Sequence, residues 1–115
     1  MILTQQVNEL VEDIAGDMTN GQAGTNGTIL FNKTQTGLQT AVGGTNVALS
    51  DKTNTNTSVS ATHVLTTSLG NGSTLVEFEV NNGSISYNRV VKANFAKTAQ
   101  KEYNIFHNFN FEVVP

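Results

Sequence analysis

The sequence predicts a mainly β fold, an antiparallel β-sandwich or partly open barrel with one N-terminal amphipathic helix. Three observations carry this. A helical period is confined to the first 18 residues, period-two runs follow at roughly ten-residue spacing, and Gly/Asn turns separate them. Parallel βαβ architecture is excluded, because each crossover helix needs about ten residues or more and no helical period recurs after residue 20. The 115 residues suit one domain over 1–115, divided into a helix at 2–18, a Gly/Thr/Asn-rich ordered loop at 20–44 and strands over 45–115. At this length roughly two-thirds of the unfolded chain's surface is buried on folding, enough for one core without disulfides or metal.

In the helix, Leu3, Val7, Leu10, Val11, Ile14 and Met18 recur at steps of three and four, while Asn8, Glu9, Glu12 and Asp13 take the other face. Thr4 is the candidate N-cap. Asn20-Gly21 ends the helix, since both residues tolerate the left-handed backbone that closes helices. Val7, Leu10, Val11 and Ile14 are therefore anchors, either on the domain's own sheet or on a neighbouring subunit. The 20–44 stretch is held by Ile29, Leu30, Phe31, Leu38 and Val42, which are too apolar for a linker. Its Gly21-x-x-Gly24-x-x-Gly27 spacing does not make a phosphate loop, which needs a strand before it and a helix after; here the order is reversed, and a tight exposed loop is expected.

From Val47 the period is two. Thr57 to Thr67 places Val59, Ala61, His63 and Leu65 on one face and Ser58, Ser60, Thr62 and Thr66 on the other. Leu69-Gly70-Asn71-Gly72-Ser73 supplies positive-φ residues for a turn, and Leu75 to Val80 returns with Val76, Phe78 and Val80 against Leu75, Glu77 and Glu79, which reads as a hairpin. Asn81-Asn82-Gly83 turns into a strand carrying Ile85, Tyr87, Val91, Ala93 and Phe95. The cleanest alternation comes last: Tyr103, Ile105, His107, Phe109, Phe111 and Val113 against Asn104, Phe106, Asn108, Asn110 and Glu112.

Charged residues make up 13% of the chain, about half the usual quarter, and sixteen Thr and fifteen Asn take their place. Six Lys+Arg against nine Asp+Glu, for a net charge of −3, cannot supply the basic footprint that a phosphate backbone requires, so no nucleic-acid partner is expected. The absence of cysteine removes thiolate zinc sites and cysteine nucleophiles. Met1 to Met18 carries four acidic residues and no basic one, unlike a secretory leader, and no run approaches the roughly 20 apolar residues of a membrane span. Five Asn-x-Ser/Thr triplets, at Asn26, Asn32, Asn56, Asn71 and Asn82, compare with about three expected by chance and are not read as glycan acceptors.

His63 and His107 lie on the apolar faces of their strands without a second His at i+2 or i+4, so each reads as a partly buried aromatic filler making one hydrogen bond; no metal or cofactor is expected. Glu77 and Glu79 share a strand face about 7 Å apart, the spacing of paired glycosidase carboxylates, but a hairpin's solvent face with Arg89 or Lys92 beside it explains them better. No Gly-x-Ser-x-Gly elbow occurs, and no enzymatic activity is expected. Phe106 has the parity opposite to Phe109 and Phe111, and shares its face with Asn104, Asn108 and Asn110. An apolar residue on a nominal outer face points to a second contact surface, formed by the helix or by another chain.

Two segments also carry a family resemblance. The helix is followed by Gly24-Thr25-Asn26-Gly27-Thr28 and by Gln35-Thr36-Gly37-Leu38-Gln39-Thr40-Ala41-Val42; near the end, Lys97-Thr98-Ala99-Gln100-Lys101-Glu102 leads into Tyr103-Asn104-Ile105 and Phe109-Asn110-Phe111. This order resembles a group of small tailed-phage virion proteins associated with tails, baseplates or fibres. It departs from the group's pattern at Asn26 and at Thr36-Gly37-Leu38, and lacks the Pro that usually follows the Gly-Thr loop. The resemblance implies a β-sandwich structural subunit located in the virion, with copies of itself and other virion proteins as partners and no catalytic residues. Val7, Leu10, Val11, Ile14, Phe31 and Phe106 are the expected core or inter-subunit anchors. Two alternatives stand beside this. One is a capsid decoration protein; the other is a carbohydrate- or receptor-binding module that holds a host-surface glycan at the 70–73 or 81–84 turns, with Tyr87 nearby.

Overall fold

In a computed structural model of the chain, residues 4–29 and 37–111 are described, those at 4–7, 93 and 94 by backbone alone. Among the described residues one helix, α1 (Thr4–Asp17), precedes seven strands: β1 (Asn20–Gly24), β2 (Val47–Ala48), β3 (Ser50–Asn54), β4 (Ser58–Leu65), β5 (Thr74–Asn81), β6 (Val90–Ala96) and β7 (Tyr103–Asn110). They form two sheets of order β2-β1-β5-β6 and β3-β4-β7, every pairing antiparallel. The sheets pack face to face as a sandwich, and the barrel alternative is set aside.

The expected alternation is clearest in β4 and β7. Val59, Ala61, His63 and Leu65 are buried, and β7 turns its odd-numbered residues inward while Asn104, Phe106, Asn108 and Asn110 are exposed. The two strands pair without a slip from Ser58↔Asn110 to Leu65↔Tyr103. Two apolar clusters fill the interior. Ala23, Leu65, Leu75 and Phe78 form one, with Phe95 stacked on Phe78 at 5.7 Å between ring centroids. Val59 and Val80 form the other with Val11, Ala15 and Met18 of α1, so the helix seals this end of the sandwich. Its C-terminal end is met by a cation, because Lys52 Nζ donates to the Met18 carbonyl at 2.9 Å.

Four expectations are corrected. The helix begins among the described residues at Thr4 and ends at Asp17, and Asn20-Gly21 opens β1. The expected 20–44 loop therefore contains a central strand: β1 lies between β2 and β5, with Gly21, Ala23 and Gly24 buried. Small residues are required there. A Cβ on Gly21 would collide with the His63 ring, and one on Gly24 with the Thr40 carbonyl and Glu77. Third, the 66–73 turn does not make a hairpin, since β4 and β5 belong to different sheets. Gly70 and Gly72 do take positive φ, but the turn arches from sheet to sheet, tied by buried Lys97, whose Nζ donates to Asn71 Oδ1 at 3.0 Å and to the Thr98 carbonyl at 2.9 Å. Finally, the β5–β6 register slips between Leu75 and Glu77, so Leu75 joins Phe78 in the core while Val76 comes to lie beside Gly27.

Candidate functional site

The outer face of the first sheet carries the chemistry. On β1 and β5 the cross-strand pairs Gly24↔Glu77, Gln22↔Glu79 and Asn20↔Asn81 place polar side chains side by side. This face is not open to solvent as the alternation predicted, because residues 25–29 and 37–41 fold over it. Glu77 is fully buried and holds them there. Its Oε1 accepts from Arg89 Nε and from the Gln39 amide, each at 2.8 Å, and its Oε2 accepts from the amides of Asn26 at 3.0 Å and Thr40 at 2.9 Å. Arg89 extends the clamp with donations of 2.9 Å to the carbonyls of Thr28 and Asn26. Burial pushes the Glu77 carboxyl up, but Arg89 and the three backbone N–H groups outweigh it, and its pKa lies below the usual value. A carboxylate with four donors is a structural staple, and no part of it is free to take a proton from a substrate.

Next to the staple lies a cavity of about 480 Å³. Its floor is Gln22 and Glu79 of the sheet, with Asn46 and Asn81 to one side. Gly37 and Leu38 form one wall, and the 83–86 tip of the β5–β6 connection forms the other. That tip is rigidly built. The Asn82 side-chain oxygen accepts from the amides of Ser84 at 2.9 Å and Ile85 at 2.7 Å, Asn81 Oδ1 accepts from Gly83 at 2.8 Å, and Gly83 takes φ 93°. Asn46 and Asn81 are mutually oriented, Asn81 Nδ2 donating to Asn46 Oδ1 at 3.4 Å. Glu79 differs from Glu77. It is 7% exposed, and among the described residues its carboxyl group has neither an ion-pair nor a hydrogen-bond partner, so its oxygens face the cavity alone.

Between the two apolar clusters sits a pair of buried imidazoles. His63 Nε2 donates to the Thr45 carbonyl at 2.9 Å. Asn88 Oδ1 accepts from the Val80 amide at 2.7 Å, which turns its Nδ2 towards His107 Nδ1 at 3.4 Å. These partners assign the tautomers. The two ring nitrogens without a partner among the described residues are then of opposite kind, an acceptor at His63 Nδ1 and a donor at His107 Nε2. Burial lowers the pKa of both rings. At His63 the hydrogen bond to Thr45 opposes it in part; at His107 the neighbouring His63 adds to it, and the value falls to about 4.

No family model, curated protein or solved structure matches the chain. What it does must follow from its own geometry. The six expected anchors separate accordingly. Val11 is core and Ile14 packs partly buried against it, whereas Leu10 is half exposed and Phe106 is 78% exposed. The Val7 side chain and Phe31 lie outside the described residues. Tyr87 packs against the helix-side cluster and does not line the cavity. The alternation in β5 concealed the different fates of Glu77 and Glu79, since neither the covering segment nor the cavity leaves a local periodicity. The sequence offered Arg89 or Lys92 as partners for Glu77 and Glu79; Arg89, just before β6, pairs with Glu77. Among the described residues no group of three His, Cys, Asp or Glu could hold a metal ion, and no helix is long and apolar enough to cross a membrane.

Proposed function

We propose that the chain is a non-enzymatic structural subunit that assembles through copies of itself, the role implied by its resemblance to small tailed-phage virion proteins. One observation supports this above all: of the four sheet edges among the described residues, β7 is the one left unguarded by them. β2 is only two residues long. β3 carries a bulge at Asp51, φ 50°, and the exposed Lys52; β6 carries a register slip and the exposed Lys92. Such devices keep edges from pairing with other chains. β7, Tyr103 to Asn110, has no charge, no Pro and no slip, and Phe106 stands exposed on its outer face.

The hydrogen-bonding groups of that edge can be named. The Phe111 amide donates to the Thr57 carbonyl at 2.7 Å, so the odd-numbered residues bond to β4 and the amides and carbonyls of Asn104, Phe106 and Asn108 point outward. Two copies paired antiparallel about Phe106 would set the two Phe106 rings together, place Asn104 opposite Asn108, and form about six backbone hydrogen bonds. Inward-facing Tyr103, Ile105 and Phe109, partly buried at the open edge, would be covered further. In a virion the same uncharged edge would serve repeated packing.

Light scattering across concentration, joined to amide hydrogen exchange, tests this. The wild-type chain is expected to exceed its 12.3 kDa monomer mass, with concentration-dependent protection at Asn104, Phe106 and Asn108. Phe106→Lys is expected to remain monomeric with unchanged thermal stability. A wild-type monomer at millimolar concentration whose three amides exchange freely would refute the reading.

A further inference from the structure

The cavity beside Glu79 lies on the sheet opposite β7 and is independent of assembly through that edge. We propose that it is a binding site for a neutral polyhydroxy ligand, a pyranose unit of a glycan. The lining carries the argument. A volume of about 480 Å³ is within the ordinary range for small-molecule sites. Glu79 is more than nine-tenths buried, yet its carboxyl oxygens have no partner among the described residues. Those oxygens open onto the cavity, and adjacent sugar hydroxyls supply two donors that can meet them together.

The neighbouring groups fit the same ligand. Gln22, Asn46 and Asn81 provide amides that both donate and accept, and Ser84 and Ser86 provide hydroxyls, matching the dual character of a sugar hydroxyl. Ile85, 60% exposed at the mouth, and Leu38 give aliphatic contact for C–H faces. Other ligand classes fit less well. Among the described residues neither Lys nor Arg lines the cavity, so an anion would meet only Glu79 as a charged group there; a hard cation would find a single acidic side chain; and an apolar ligand would leave the amides unpaired. Among the described residues no aromatic ring lines the site, so recognition by these residues rests on hydrogen bonds more than on stacking.

The site is preorganised by groups outside it. Gly37, at φ 84°, passes over Ser86 and Glu79 so closely that a Cβ would lie 2.9 Å from Ser86 Cβ, and the Asn81–Asn82 turn fixes the opposite wall.

The test uses the full ¹⁵N-labelled chain titrated to high-millimolar concentration with methyl glucoside, galactoside and mannoside and with N-acetylglucosamine, and separately with calcium chloride and methylammonium. A sugar is expected to shift the amides of Gln22, Gly83, Ser84, Ile85 and Ser86. Glu79→Gln is expected to weaken that binding at least about tenfold. Asn71→Ala, at the opposite turn, is expected to leave it unchanged. Ile85→Lys, at an exposed side chain that folding does not need, closes the mouth and is expected to abolish binding even where Glu79→Gln folds poorly. The proposal is overturned if no sugar shifts these amides, if the shifts fall elsewhere, if both variants bind like the wild type, or if calcium or methylammonium gives the larger response.

Discussion

Acidification from neutrality to about pH 4 is expected to cost the fold about 3 kcal/mol through His107 alone. In the unfolded chain this imidazole takes up its proton as the pH falls through 6.5, whereas in the folded chain it stays neutral down to about 4. Between those values the unfolded state binds more protons, so stability falls with pH, and the gap corresponds to about 3 kcal/mol at 1.36 kcal/mol per pH unit. His63 acts in the same direction. Protonating it would also turn Nδ1, an acceptor, into a second buried donor. Glu77 extends the loss further into acid: its folded pKa lies below the ordinary 4.5, so its stabilisation is complete above that value and is lost as the pH falls through the folded one. Urea denaturation at intervals from neutrality to pH 4 measures the slope. His107→Gln keeps an oxygen to accept from Asn88 but does not titrate, and its stability is expected to fall by about 3 kcal/mol less over the same interval. A wild-type stability that is flat over this range, or a His63→Gln/His107→Gln double variant with the wild-type slope, would refute the reasoning.

Two further outcomes follow from the packing. Arg89→Ala leaves Glu77 buried without its ion pair and is expected to cost about 3–5 kcal/mol, with hydrogen exchange rising first at Asn26, Gln39 and Thr40, which differential scanning and exchange measurements can follow. Gly21→Ala is expected to cost about 1–3 kcal/mol because its Cβ meets the His63 ring, and His63→Ala in the same chain is expected to recover part of that loss in a double-mutant cycle.

Much of the fold was legible where one strand face is buried and the other is not. β4 and β7 show their alternation directly, and the helical stripe found Val11, Ile14 and Met18. β1 was not legible, since Asn-Gly-Gln-Ala-Gly contains none of the branched or aromatic residues that mark strands. It is a strand because His63 and Glu77 need glycine opposite them, a requirement set by residues far along the chain. The same distance hid the site. Glu77 and Glu79 look solvated in their own strand, and only the returning segments at 25–29 and 37–41 bury one and leave the other facing a cavity. The 66–73 turn shows the converse limit: glycine at positive φ specifies that the chain reverses, not which sheet receives it.

The placement of β1 constrains how the molecule can be made. β1 pairs with β2 over two residues and with β5 over all five of its own, and α1 packs on Val59 and Val80, so neither early element has its full seat until residues near 80 have been synthesised. Such distant closures are slow compared with local ones, and they leave an amphipathic helix and a strand paired on one side only waiting during translation. The growing chain therefore carries α1 and β1 only partly seated, and completion of β5 is the event that finishes the seat of both.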